Sequence, residues 1–176
     1  GFDVVLGNPP WEKINLKDEE FFATTYPEIS NAPTKSKRKK MIDALRKTDP
    51  SQYQRYMSAQ FQHDYLSNFF RYSGRYPLTG ISRINLYSTF AELAVQKTSW
   101  LGRVGMVIAS GIATDDNNKK LFESLIMNQQ LVSIYDFENQ EGLFVDVHSQ
   151  YKFSLFCAGG KHTNHKLADF AFLKLE

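Results

Sequence analysis

Asn8-Pro9-Pro10-Trp11 stands directly behind a short apolar run, Phe2–Leu6, and these residue types in this order suit one kind of acceptor. An amine carried on an aromatic ring, such as the N6 of adenine, is a poor nucleophile because its lone pair is delocalised into the ring. Accepting hydrogen bonds from both of its hydrogens favours a more tetrahedral and more reactive nitrogen. The amide oxygen of Asn8 supplies one acceptor. The carbonyl of Pro9 supplies another, and the consecutive prolines Pro9 and Pro10 hold it with few alternative backbone states. Trp11 offers a ring on which a base rotated out of a duplex can stack, an interaction of about 1–3 kcal/mol per base. The competing reading is a rigid surface turn closed by an aromatic.

The elements around this loop can be read in turn. Phe2–Leu6, ended by Gly7, Asn8, Pro9 and Pro10, has the look of a buried parallel strand whose carboxyl end is where open α/β sheets place ligands. Residues 12–81 are polar, charged and aromatic, with breaks at Pro27, Pro33, Pro50 and Pro77, and helical patterns near 17–24, 36–47 and 51–72. In the last of these, Tyr53, Tyr56, Met57, Phe61, Tyr65, Phe69 and Tyr72 form an aromatic stripe, read as core packing in a helical lobe ahead of a base-stacking surface. From residue 82 the pattern alternates: a helix over Ile84–Lys97 with Leu86, Phe90, Leu93 and Ala94 on one face and Gly102 as its stop, then a strand over Val104–Ala109. A helix over Asn117–Gln130 follows, with Leu121, Leu125 and Ile126, then strands over Leu131–Phe137, Tyr151–Ala158 and Phe170–Leu175. Helices between strands predict a mainly parallel sheet.

Composition limits the rest. The chain has 176 residues, room for one ordinary core with an inserted lobe, and a net charge of +2, too small to argue for nucleic acid or a membrane. Its distribution says more: Lys35, Lys37, Arg38, Lys39 and Lys40 form one basic run, a solvated helix face or a set of DNA phosphate contacts. The single Cys157 excludes an internal disulfide, suits a reducing cytoplasm and reads as a buried thiol. No metal site is expected. Asp115-Asp116 reads as a helix cap, His148, His162 and His165 lack ligand spacing, and His63 reads as a surface or packed residue. No apolar run is long enough for a membrane span.

Phe2-Asp3-Val4-Val5-Leu6-Gly7-Asn8-Pro9-Pro10-Trp11-Glu12 resembles the catalytic loop of adenine-N6 DNA methyltransferases, most of all the large single-chain enzymes that fuse restriction and modification. The likeness continues in Ile84–Phe90, Gly102–Ser110 and Gly142–Phe153, which are similar to the helix before their fifth strand, that strand with its following loop, and the turn before their seventh strand. The resemblance implies a partial Rossmann-like α/β methyltransferase sheet, strands four to seven, from residues 1–11 and 82–176; residues 12–81 match nothing in the family and are read as a helical insertion near the DNA. It implies S-adenosylmethionine as cofactor and double-stranded DNA as partner, with Asn8, Pro9, Pro10 and Trp11 catalytic and Trp11 and Phe144 stacking on the target base. A sulfonium donor is already a strong electrophile, so no general base is needed.

The family's glycine-rich cofactor loop and its ribose-binding acid would precede residue 1, and Gly102-Arg103-Val104-Gly105 cannot replace them because it leads into a strand rather than a helix amino terminus. The chain therefore reads as an internal fragment, inactive alone, that relies on the rest of its parent chain. Its first strand would either pair with another copy or be covered by the insertion. Glutamine methyltransferases acting on release factors share the loop but normally end it in tyrosine; cytosine-N4 enzymes usually begin it with serine. A non-catalytic nucleic-acid-binding scaffold is the rival of another class.

Overall fold

The computed structural model describes residues 1–81, 83–140, 142–145 and 148–172. Part of the turn Gly142–Phe153 and the end of the strand expected over Phe170–Leu175 lie outside the described residues. The chain forms two compact units: Gly1–Lys13 with the chain from Phe70 onward, and Ile14–Phe69. Elements follow in the order β1 (Phe2–Gly7), α1 (Asp18–Phe22), α2 (Pro27–Ser30), α3 (Lys35–Thr48), α4 (Pro50–Tyr72), α5 (Leu86–Lys97), β2 (Thr98–Ala109), α6 (Gly111–Thr114), a 3-10 turn (Asp116–Asn118), α7 (Lys119–Met127), β3 (Leu131–Glu138), β4 (Lys152–Gly159) and β5 (Asp169–Phe172).

The first unit is built on a five-stranded sheet of order β1-β2-β4-β3-β5. β1 pairs parallel with β2 and β3 with β5, whereas β4 runs antiparallel to both β2 and β3. The sheet is thus mixed rather than mainly parallel. Among the described residues no helix lies between β3 and β4, and β4 pairs antiparallel beside β3, as a strand that returns without a crossover does. Alternation assigns the two faces. Val104, Met106 and Ile108 of β2, Ile134 of β3 and Phe156 and Ala158 of β4 share a buried cluster with Tyr87, Ala91 and Ala94 of α5 and Leu121 and Leu125 of α7. Each fully buried Leu, Ile or Phe contributes about 1.5–3 kcal/mol.

The inward face of α5 differs from the apolar pattern, and Phe90 is exposed. In its place Ser88 and Glu92 are buried because each has partners: Ser88 Oγ donates to Asn118, and the Glu92 carboxylate accepts from the Leu78 and Thr79 amides and the Thr79 hydroxyl. Gly102 also has another role. It lies inside β2, where a Cβ would come within 2.7 Å of the Phe2 carbonyl oxygen and 2.9 Å of that of Asp3. Its lack of a side chain lets β1 approach; the helix has already ended at Lys97.

β1 is an edge strand and is not buried. Its Phe2, Val4 and Leu6 are 65%, 60% and 77% exposed. The sheet face opposite the helices carries Leu6, Gly105, Val107, Tyr135, Leu155 and Cys157 along a shallow apolar groove that reaches Asn8.

The second unit is helical, around Phe22, Ile29, Ile42, Leu45 and Tyr56. Thr34 caps α3 by accepting from the Lys37 amide at 3.2 Å. Asp49 accepts from the Gln52 amide at 3.1 Å, and Pro50 opens α4 with no amide hydrogen to leave unpaired. The Tyr26 hydroxyl donates to Asp49, which holds that carboxyl below its ordinary pKa. Of the α4 stripe, Tyr56 is buried and Tyr53 packs beside it, whereas Met57, Phe61, Tyr65 and Tyr72 are exposed. The stripe is core only at its first turns. No helix among the described residues is long and apolar enough to cross a membrane.

Candidate active site at the carboxyl end of β1

β1 stops at Gly7, paired with Met106, and the next four residues leave the sheet. Two main-chain links fix the far side of this loop: the Leu86 amide donates to the Glu12 carbonyl at 2.9 Å, and Lys13 bridges Asn85 at the start of α5. Pro9 is buried and Asn8 and Pro10 are exposed. Among the described residues no donor reaches the Asn8 amide oxygen or the carbonyls of Asn8, Pro9 and Pro10. The loop therefore presents a set of unfilled acceptors held on a rigid path.

Trp11 is half-buried and tied to the sheet. Its indole N–H donates to the Val107 carbonyl at 3.3 Å, one step beyond the last β1–β2 pair. Its ring lies 5.5 Å from Phe144 in an edge-to-face arrangement and 6.5 Å from Phe153, nearly parallel to it. Phe144 meets Phe153 at 5.1 Å, and Phe137 stacks on Phe153 at 5.5 Å. Residues far apart in sequence thus form one aromatic wall beside Asn8, each contact of this kind worth about 0.5–1.5 kcal/mol beyond burial.

Three polar groups here were not among the sequence candidates. Asn139, 1% exposed, donates to the Phe144 carbonyl and accepts from the Phe144 amide, both at 3.0 Å. Asp136 accepts from the hydroxyls of Ser110 and Ser154, joining the ends of β2, β3 and β4. Asn118 donates to the Tyr87 hydroxyl at 3.0 Å and to the Gly111 carbonyl at 2.6 Å. Burial raises the Tyr87 pKa in spite of these bonds, so the phenol stays protonated. The signal for Asn139 was an asparagine directly after a strand, a pattern too common to single out.

The basic run divides. Lys35, Lys37, Lys39 and Lys40 are exposed on α3. Arg38 is 6% exposed and turned inward: it donates to the carbonyls of Ile29, Ser30 and Ala32 and pairs with Glu19 at 2.7 Å. Its guanidinium closes the carboxyl end of α2 and is spent there, so it is no phosphate ligand.

Asp115 accepts from the Asn117 amide at 3.0 Å and caps the 3-10 turn. A cradle for S-adenosylmethionine needs a glycine turn opening a helix. Gly102 and Gly105 lie within β2, and Gly111 opens a helix of only 4 residues with the Tyr87 hydroxyl filling the space above it. None of these three glycines forms such a turn.

A mixed α/β sheet with helices on one face and an Asn-Pro-Pro-Trp loop at a strand's carboxyl end is that of a Rossmann-like methyltransferase fold fragment. The chain belongs to the Eco57I restriction-modification methylase family, whose model matches residues 1–144. Two solved structures are similar over 97% of this chain. One is the cryoEM structure of a DrdV–DNA complex, with a TM-score of 0.48 and 12% identity. The other is the ATP-dependent Type ISP restriction-modification enzyme LlaBIII bound to DNA, with a TM-score of 0.45 and 13% identity. This chain covers 14% and 10% of their lengths. The curated proteins gave no match.

Proposed function

We propose that the protein carrying this chain methylates adenine N6 in double-stranded DNA, as the modification activity of a restriction-modification or related defence system. One observation carries the reading: Asn8 and Pro9 keep unfilled acceptors beside the aromatic wall of Trp11 and Phe144. An amine needs those acceptors, and a planar ring extruded from a duplex needs that wall.

In this reading Asn8 and the Pro9 carbonyl accept from the two N6 hydrogens, Pro10 stiffens the loop, and Trp11 and Phe144 hold the base by stacking. S-adenosylmethionine is the methyl donor, and its cradle comes from parts of the parent chain outside residues 1–176. Residues 1–11 and 82–176 then form part of the catalytic domain, and residues 12–81 are an insertion. Lys35, Lys37, Lys39 and Lys40 contact DNA phosphates.

The test uses the full-length protein, tritiated S-adenosylmethionine and genomic DNA prepared without adenine methylation. Digestion to nucleosides should yield N6-methyladenine, and Asn8→Ala should abolish it. Label appearing in N4-methylcytosine, or in release-factor glutamine and not in DNA, would overturn the reading.

A further inference from the structure

We infer that Asn139 is the positioning residue for Phe144, an inference that rests on the stacking role proposed above for that phenylalanine. Asn139 directly follows β3, and among the described residues both its main chain and its side chain are hydrogen-bonded. Its amide donates to the Tyr151 carbonyl at 3.0 Å, and its carbonyl accepts from Gly142 at 3.1 Å. Its side chain grips the Phe144 peptide twice, once as donor and once as acceptor. The main-chain bonds pin Asn139 to the sheet, and the side chain transmits that position to Phe144, whose ring stands edge-on to Trp11. A carboxylamide of this length is needed: aspartate lacks the donor, glutamine carries the pair one methylene too far, and leucine removes the partners of both the Phe144 amide and its carbonyl. Asn139 touches no substrate in this scheme; it acts through Phe144.

A double-mutant cycle in the full-length protein tests this, with Asn139→Ala, Asn139→Asp, Phe144→Ala and both double variants. The readout is methyl transfer from tritiated S-adenosylmethionine to genomic DNA prepared without adenine methylation. Asn139→Asp should lower kcat about tenfold, the order expected for one lost hydrogen bond, and Asn139→Ala, which loses two, at least as much. KM for DNA should stay within about twofold, because phosphate contacts hold the duplex whether or not the base is captured. In the Phe144→Ala background the same changes should cost less than about twofold, since there is no ring left to position. Equal losses in both backgrounds, or none in either, overturn the inference while leaving the stacking role intact. Undiminished turnover in Phe144→Ala refutes the stacking role itself, and the inference with it. If Asn139→Ala fails to fold, Asn139→Asp, of the same size, carries the cycle.

Discussion

The indole nitrogen of Trp11 donates to the carbonyl of Val107 across 3.3 Å, joining residues 96 positions apart at the point where β1 has ended and β2 continues. The tryptophan of the loop is therefore also tied to the sheet, one residue beyond the last β1–β2 pair. Trp11→Phe should keep the ring packing and lose about 1 kcal/mol of stability with the hydrogen bond. Trp11→Ala should lose about 2–4 kcal/mol and weaken retention of the target base as well. Thermal melts of the two variants should separate clearly; coincident melts would mean that the ring contributes nothing to the fold.

Asn8 is the reverse case, an exposed amide with no partner among the described residues. Asn8→Ala should leave stability within about 0.5 kcal/mol and DNA affinity nearly unchanged, while removing methyl transfer. Normal turnover in this variant would sink its assignment.

Arg38 and its neighbours should part company. Arg38→Ala strands the carbonyls of Ser30 and Ala32, leaves that of Ile29 with the Ala32 amide and removes the partner of Glu19, at a cost of about 3 kcal/mol. Lys35→Ala and Lys39→Ala should leave the melting temperature alone and weaken DNA binding across all sequences, each reducing the salt slope by about 1. Binding titrations at several salt concentrations, run beside thermal melts, decide this.

Burial holds the Cys157 thiol above its ordinary pKa, against a smaller opposing pull from Arg103. The fold thus favours the neutral thiol. Its contribution to stability is complete below the ordinary thiol range and is lost as pH rises through the folded value. Alkylation by iodoacetamide should be slow at neutral pH, with a rate profile displaced to higher pH than that of a free cysteine. A midpoint at or below the ordinary value would contradict this.

β1 is the outermost strand of the sheet among the described residues, and its Phe2, Val4 and Leu6 side chains are exposed. Residues 1–176 on their own should self-associate through this edge, and Val4→Lys should reduce association by adding a charge there. Light scattering that shows a monomer for both chains would count against it.

Local rules were enough for much of this protein. The Asn8-Pro9-Pro10-Trp11 loop and its place behind a strand, the helices α3, α5 and α7, and the strands β3 and β4 all follow from apolar spacing, caps and proline breaks, which act over a few residues. Three things needed the tertiary structure. The side chain of Arg38 carries the same charge as the exposed lysines around it, and its inward turn is decided by the carbonyls of Ile29, Ser30 and Ala32, which its planar set of donors can reach together. The inward face of α5 is partly polar, because Ser88 and Glu92 find partners on Asn118, Leu78 and Thr79 that no helical period can announce. The wall of Trp11, Phe144 and Phe153 and the Asn139 clamp behind it exist only once β4 has entered between β2 and β3. Residue type and short spacing fix what a segment can do; which polar groups meet, and which are thereby used up, is decided by contacts between segments far apart in the chain.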